Sequence, residues 1–256
     1  MNIYSKNISK LFFSVVISGL IFCSCVSSRE AVYFNNVPDQ SLNVNPDEEQ
    51  KIVPNDILSI TVTSLNAEAS LNFNNSSPTN PTVTPGYLVD KEGYIQFPVL
   101  GKLKVADFTK KQLTDNLRTS LIDKKLLIDP VVTIRYLNFR VTVLGEVLRP
   151  TVVLVPNEKI SLLEALGMAG DLTIYARRDN VTLIRDENGK RLIKRINLNN
   201  ADIFNSPYYY LRSNDIIYVE PNKTKISSSL PLRQNLPIVL SGLSLLAIIF
   251  TRINYR

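Results

Sequence analysis

Twice along this chain, short apolar runs that alternate with polar residues lead into one stretch of helical spacing and then into further alternating runs. That order constrains the fold more than any other feature. A parallel doubly wound sheet needs helices between most of its strands, whereas strands grouped around one helix build a small α+β unit. Two such domains in series are the expected fold class.

In the first block, "KIVPNDILSITVTSL" puts Ile57, Ser59 and Thr61 on one face and Ile60 and Val62 on the other, as a strand requires. The segment "NAEASLNFNNSSPTNPTVTPG" has the composition of a long loop. "YLVDKEGYIQF" reads as two strands joined by a turn at Lys91, Glu92 and Gly93, and "VLGKLKV" continues the strand pattern. "DFTKKQLTDNLRTSLIDK" predicts a helix capped by Thr109, with Leu113, Leu117 and Leu121 forming one buried stripe. "DPVVTIRYL" returns to strand.

The second block opens with "FRVTVLGEVLRPTVVLVP", which alternates as a hairpin does. "KISLLEALGMAGDL" predicts a helix capped by Ser161 and ending near Gly170. "DNVTLIRDENGKRLIKRINL" is a hairpin turning at Asn-Gly, among the strongest two-residue turn signals. "SPYYYLRSNDIIYVEP" closes with a strand. Two internal echoes link the blocks: "PNDILSITV" with "SNDIIYVEP", and "VLGKL" with "VLGEV".

Both ends of the chain are apolar. At the head, Lys6 and Lys10 precede a run from Leu11 to Phe22 and small residues around Cys25. A basic start and a short apolar run read as a secretory signal, since about a dozen residues fall short of the roughly 20 that span a bilayer. Residues 29–50 are polar, Pro-broken and tether-like. At the tail, a helix over Leu236 to Arg252 would be about 25 Å long, short for an average bilayer but suited to a thin one. Ser241, Ser244, Ala247 and Thr251 share one side of that helix, a stripe that suits a helix–helix seam or a wet lumen. Arg252 and Arg256 equally fit the flank of an inner-membrane anchor.

Composition narrows the chemistry. The chain has no His, and both Cys, Cys23 and Cys25, lie in the head. Ser-His-Asp triads are excluded, and a zinc site or disulfide in the body is not expected. Without residues 1–24 the formal charge falls from +6 to +4, too mild to imply nucleic acid. Arg177, Arg178, Arg185, Lys190, Arg191, Lys194 and Arg195 cluster against Asp179, Asp186 and Glu187. They would attract an acidic glycan or partner, or form an ordinary solvated hairpin face. Tyr208, Tyr209 and Tyr210 read as sugar-stacking residues or as strand aromatics. Glu146, Glu158 and Glu164 show no pairing across a cleft, and no cofactor motif is present.

Several ordered motifs resemble the outer-membrane polysaccharide export proteins of Wza type. "NDILSITV" stands where that family has its Gly-Asp opening, and "VDKEGYIQFPVLG", "TKKQL" and "DPVVTI" follow in the family's order. The second block resembles an SLBB domain, a β-grasp-like module, through "VTVLGEVLRP", "SLLEALGMAGDLT", "VTLIRDENGK" and "NDIIYV". Asn55 and Asn214 replace the usual Gly before Asp56 and Asp215, Asp171 replaces a Gly, and Thr151 replaces the Gly after Pro150.

The resemblance implies a lipoprotein signal at 1–24 with acylation at Cys25, a tether at 25–49, an export domain at 50–137 and an SLBB domain at 138–221. A linker at 222–235 and a C-terminal membrane helix at 236–252 would complete the chain. Its small-residue stripe would then line or build a pore. The implied protein is not an enzyme. It is a subunit of a homo-oligomeric ring, lipid-anchored in the outer membrane with its body in the periplasm, passing capsular or exopolysaccharide. An inner-membrane copolymerase, often a tyrosine autokinase, would be its partner. The competing reading is a monomeric periplasmic lipoprotein that binds glycan.

Overall fold

A computed structural model describes residues 32–35, 37–42, 49–74, 86–187, 189–228 and 231–254. The chain forms two mixed domains, as the block order requires.

The first domain is built on β1 (Ile57–Thr63), the central strand of a three-stranded antiparallel sheet. On one side it pairs with β2 (Tyr87–Leu88), and on the other with β5 (Val131–Tyr136) in the register Leu58 to Tyr136 through Thr63 to Val131. Leu58, Ile60 and Val62 are buried, so the period-two pattern fixes which face meets the core. A separate hairpin joins β3 (Tyr94–Phe97) to β4 (Gly101–Lys104). The turn at Lys91 to Gly93 is present, but the strands it joins, β2 and β3, pair elsewhere and not with each other.

Within the stretch expected to be loop, α1 (Ala67–Leu71) forms one short helical segment capped by the Asn66 side chain. Helix α2 (Lys110–Asp123) starts at a reciprocal capping box of Thr109 and Gln112, and its buried residues are Leu113, Leu117 and Leu121.

The second domain is a five-stranded sheet in the order β7-β6-β10-β8-β9. Its strands are β6 (Arg140–Gly145), β7 (Thr151–Leu154), β8 (Ala176–Glu187), β9 (Lys190–Ile196) and β10 (Ile216–Pro221). All neighbours are antiparallel except β6 and β10, which run parallel. Helix α3 (Leu162–Met168), capped by the Ser161–Glu164 box, buries Leu162, Ala165 and Leu166. Gly145 has a φ of +93°, and a Cβ there would stand 2.0 Å from the carbonyl oxygen of Val219. A side chain at this position is therefore incompatible with the β6–β10 pairing. The buried apolar residues of the two domains form one continuous cluster.

The stretch expected to link domain and tail holds α4 (Lys223–Ser228) and the first turn of α5 (Pro231–Asn254). The expected C-terminal membrane helix is not supported. Among the described residues, no helix is long and apolar enough to cross a membrane. Helix α5 opens on Pro231 and Leu232, follows them with Arg233, Gln234 and Asn235, and carries Pro237 inside it. The apolar part that follows, from Ile238 to Phe250, is roughly 20 Å long and is interrupted by Ser241, Gly242 and Ser244.

Candidate functional site

The repeated "NDI" segments form the same turn twice. Asn55 and Asn214 take φ values of +71° and +67°, a conformation that Asn tolerates in place of Gly. In each turn the aspartate carboxylate accepts from the backbone N–H three residues earlier, Val53 to Asp56 Oδ2 at 2.9 Å and Arg212 to Asp215 Oδ2 at 2.8 Å. Both carboxylates are buried.

Their surroundings differ. Asp215 receives Arg185 Nε at 2.9 Å and Nη2 at 2.7 Å, a bidentate pair in which both side chains are almost wholly buried. Among the described residues no cation acts on Asp56, and its Oδ1 finds no partner. Burial therefore pushes its pKa up from 3.8 to about 6. The hydroxyl of Tyr136 is also buried without a partner among the described residues, and its pKa is raised by burial, with the charges of Asp56, Glu158 and Glu49 adding to the shift.

The cations that cluster in sequence are dispersed in space. On β8, Arg178 and Arg185 are buried and Arg177 is half-buried, whereas on β9 Lys190, Arg191, Lys194 and Arg195 are all exposed. Arg185 is spent on Asp215. Arg177 bridges Asp179 and Glu220, both at 2.9 Å, and Arg191 grips Asp186 at 2.7 and 2.8 Å. Arg178 is buried; its guanidinium donates to the carbonyls of Ala176 and Thr173 and stacks 5.3 Å from the Tyr33 ring. Lys194 lies 5.6 Å from the Tyr208 ring. Lys190 and Arg195 are exposed on β9. The four exposed cations of β9 divide between the two faces of this edge strand, Lys190 and Lys194 on one and Arg191 and Arg195 on the other.

Tyr208, Tyr209 and Tyr210 lie ahead of β10 and not within it. They are half-buried, with Tyr209 against Phe204 and Lys159 4.2 Å over Tyr210. In the stretch read as a tether, Tyr33 and Phe34 dock on the second domain. Phe34 N–H donates to Leu198 O at 3.1 Å, its ring packs on Phe204, and Tyr33 donates to Asp171. Sequence reading passed over this contact, although two adjacent aromatics in a polar stretch were its signal.

The tail stripe is only partly described. Ser241 and Ser244 are exposed and turn their hydroxyls back onto Ile238 O and Ser241 O, and Ala247 is exposed. The side chain of Thr251 and all of Cys25 lie outside the described residues. Among the described residues no group of acids, His or Cys could hold a metal ion. An open groove of about 740 Å³ lies beside the end of α2, lined mainly by Leu65, Ala69, Ile122, Leu126 and Ile128. Its lining is suited to docking more than to chemistry, since few polar groups converge there.

Residues 44–137 match the family model described as polysaccharide biosynthesis/export protein, and residues 140–194 match the SLBB domain. The chain belongs to the polysaccharide export proteins of Wza type. This is a family of export proteins and not of enzymes. The chain is 31% identical over 142 residues to the EPS I polysaccharide export outer membrane protein EpsA of Ralstonia solanacearum, an alignment covering 54% of this chain and 37% of that protein. It is 32% identical over 143 residues to the protein of the same name from Ralstonia nicotianae, covering 55% and 36%. The chain thus spans little more than a third of the length of these curated relatives. The first domain described above is the export domain and the second contains the SLBB domain.

Proposed function

We propose that this chain is a subunit of an outer-membrane assembly that exports exopolysaccharide, with its two domains in the periplasm and an acyl anchor at Cys25. The observation that carries the reading is the ordered pair of an export domain and an SLBB domain, together with relatives named for exopolysaccharide export at the outer membrane.

A closed homo-oligomeric ring is the form in which such a chain would work. Supporting this, one face of the SLBB sheet is left bare, with Val152, Leu154, Leu144, Tyr218 and Ile193 all exposed. Exposed apolar faces of this extent mark contact surfaces, and identical subunits arranged cyclically would cover one another. The sequence has no phosphate-binding loop, so energy would come from a partner such as an inner-membrane copolymerase.

Deleting the gene should abolish surface polysaccharide, and the wild-type gene should restore it. The Cys25→Ser variant should restore much less, with the protein released from membranes. Undiminished surface polysaccharide in the deletion strain would overturn the export reading.

A further inference from the structure

The turn that holds Asp56 is also the joint between the two domains. Asn138 lies in the short connection from β5 to β6, and its side chain spans the turn. Its Nδ2 donates to Asn55 O at 2.9 Å, and its Oδ1 accepts from Ile57 N at 2.9 Å. Leu137 N–H adds a bond to Ile57 O at 2.8 Å. A second strut runs from Ser213 N–H, in the matching turn of the SLBB domain, to Gln50 Oε1 at 2.9 Å. Glu158, in the loop after β7, completes the joint by accepting from Tyr136 N at 2.8 Å and from Lys110 of α2.

Asp56 is fully buried in this joint and uses only part of its hydrogen-bonding capacity. The charged and titratable groups that act on its neighbour Tyr136 are Glu158 and Glu49, both acidic. Lys110, 5.6 Å from the Tyr136 ring, is engaged with Glu158. The matching carboxylate in the SLBB domain, in a turn of the same geometry, has Arg185 to neutralise it.

We propose that Asp56 is an acid-operated clasp that stiffens the joint between the export and SLBB domains when protonated and loosens it when ionised. Protonation adds one solvent proton to the carboxyl, which removes a buried unpaired charge. Ionisation returns that proton to solvent and leaves a charge that is stabilised only by opening the turn to water. Such a joint would respond to pH whatever the chain transports.

The test is hydrogen–deuterium exchange of the full-length protein at pH 5.0 and 7.5, corrected for the intrinsic pH dependence of exchange. The amides read out are Val53, Ile57 and Leu137. With Asp56 titrating near 6 when closed and at its ordinary 3.8 when open, linkage predicts about a tenfold loss of protection at the higher pH. Amides of α3 serve as the internal control and should not change. The Asp56→Asn variant keeps the acceptor for Val53 N–H and should show acid-like protection at both pH values. Equal corrected protection in the wild type at the two pH values would overturn the proposal, with or without the variant. So would a pH dependence that persists in Asp56→Asn.

Discussion

Asp56 and Asp215 occupy turns that match bond for bond, yet one keeps a carboxylate oxygen unpartnered among the described residues while the other is gripped by arginine. The local sequence specifies the turn. The neighbouring elements decide what its charge does. The second echo teaches the same lesson, because Gly101 has open space around its missing Cβ whereas Gly145 stands against Val219. The outer sheet faces diverge as well. In the export domain that face mixes Ser59, Thr61, Thr133 and Arg135 with the exposed Leu88 and Val131, whereas in the SLBB domain Val152, Thr142, Ile216, Ile184 and Ile193 run in register across all five strands. Both faces expose apolar side chains, but the SLBB face carries the longer apolar row.

Substitutions can break these contrasts, beginning with the largest effect. Arg185→Met should destabilise the protein by about 3–5 kcal/mol in denaturant unfolding, because it strands the Asp215 charge in the core. Adding Asp215→Leu should recover most of that loss. A loss under about 1 kcal/mol for the single variant would mean that the pair is solvated.

Gly145→Ala should cost about 3 kcal/mol, from a left-handed backbone and a collision with Val219, while Gly101→Ala should cost about 1 kcal/mol. Equal costs would erase the contrast between the two echoes.

Asp56→Asn should act in the opposite direction, stabilising by up to about 3 kcal/mol at neutral pH. The sign follows from its raised pKa. The folded state binds the proton more tightly, so wild-type stability should rise as pH falls from 7 through about 6 towards 3.8, and the advantage of the variant should vanish there. Urea midpoints across that range would show it.

The smallest effects belong to the two capping boxes. Thr109→Ala and Ser161→Ala should each cost about 1 kcal/mol by thermal or urea unfolding.

Much of this fold was legible because its signals are local. The capping residues Thr109 and Ser161, the Leu113, Leu117 and Leu121 stripe, and the β6–β7 and β8–β9 hairpins each follow from residues a few positions apart. Helix α1 was missed because five residues capped by Asn66 share the composition of the loop around them. The pairings of β2 and β3 were missed because a turn sequence marks a reversal without choosing partners. The candidate site was less legible. Arg185 meets Asp215 from 30 positions away, and Arg177 adds Glu220 from 43 positions away to its neighbour Asp179, so nearby acids alone do not reveal these distant partners. The tail misled for a related reason, since its apolar count outweighed Arg233, Gln234 and Asn235 of α5 and Pro237.

The central claim is that identical subunits close into a ring and thereby cover the bare SLBB sheet. The most direct measurement is the native mass of the detergent-extracted, full-length protein, taken for the wild type and for a Leu154→Ser, Ile193→Ser double variant. A closed oligomer of one fixed size for the wild type is expected, falling to smaller species when both apolar residues are removed, with the domain fold intact by circular dichroism. A wild-type protein that stays monomeric at every concentration would contradict the account.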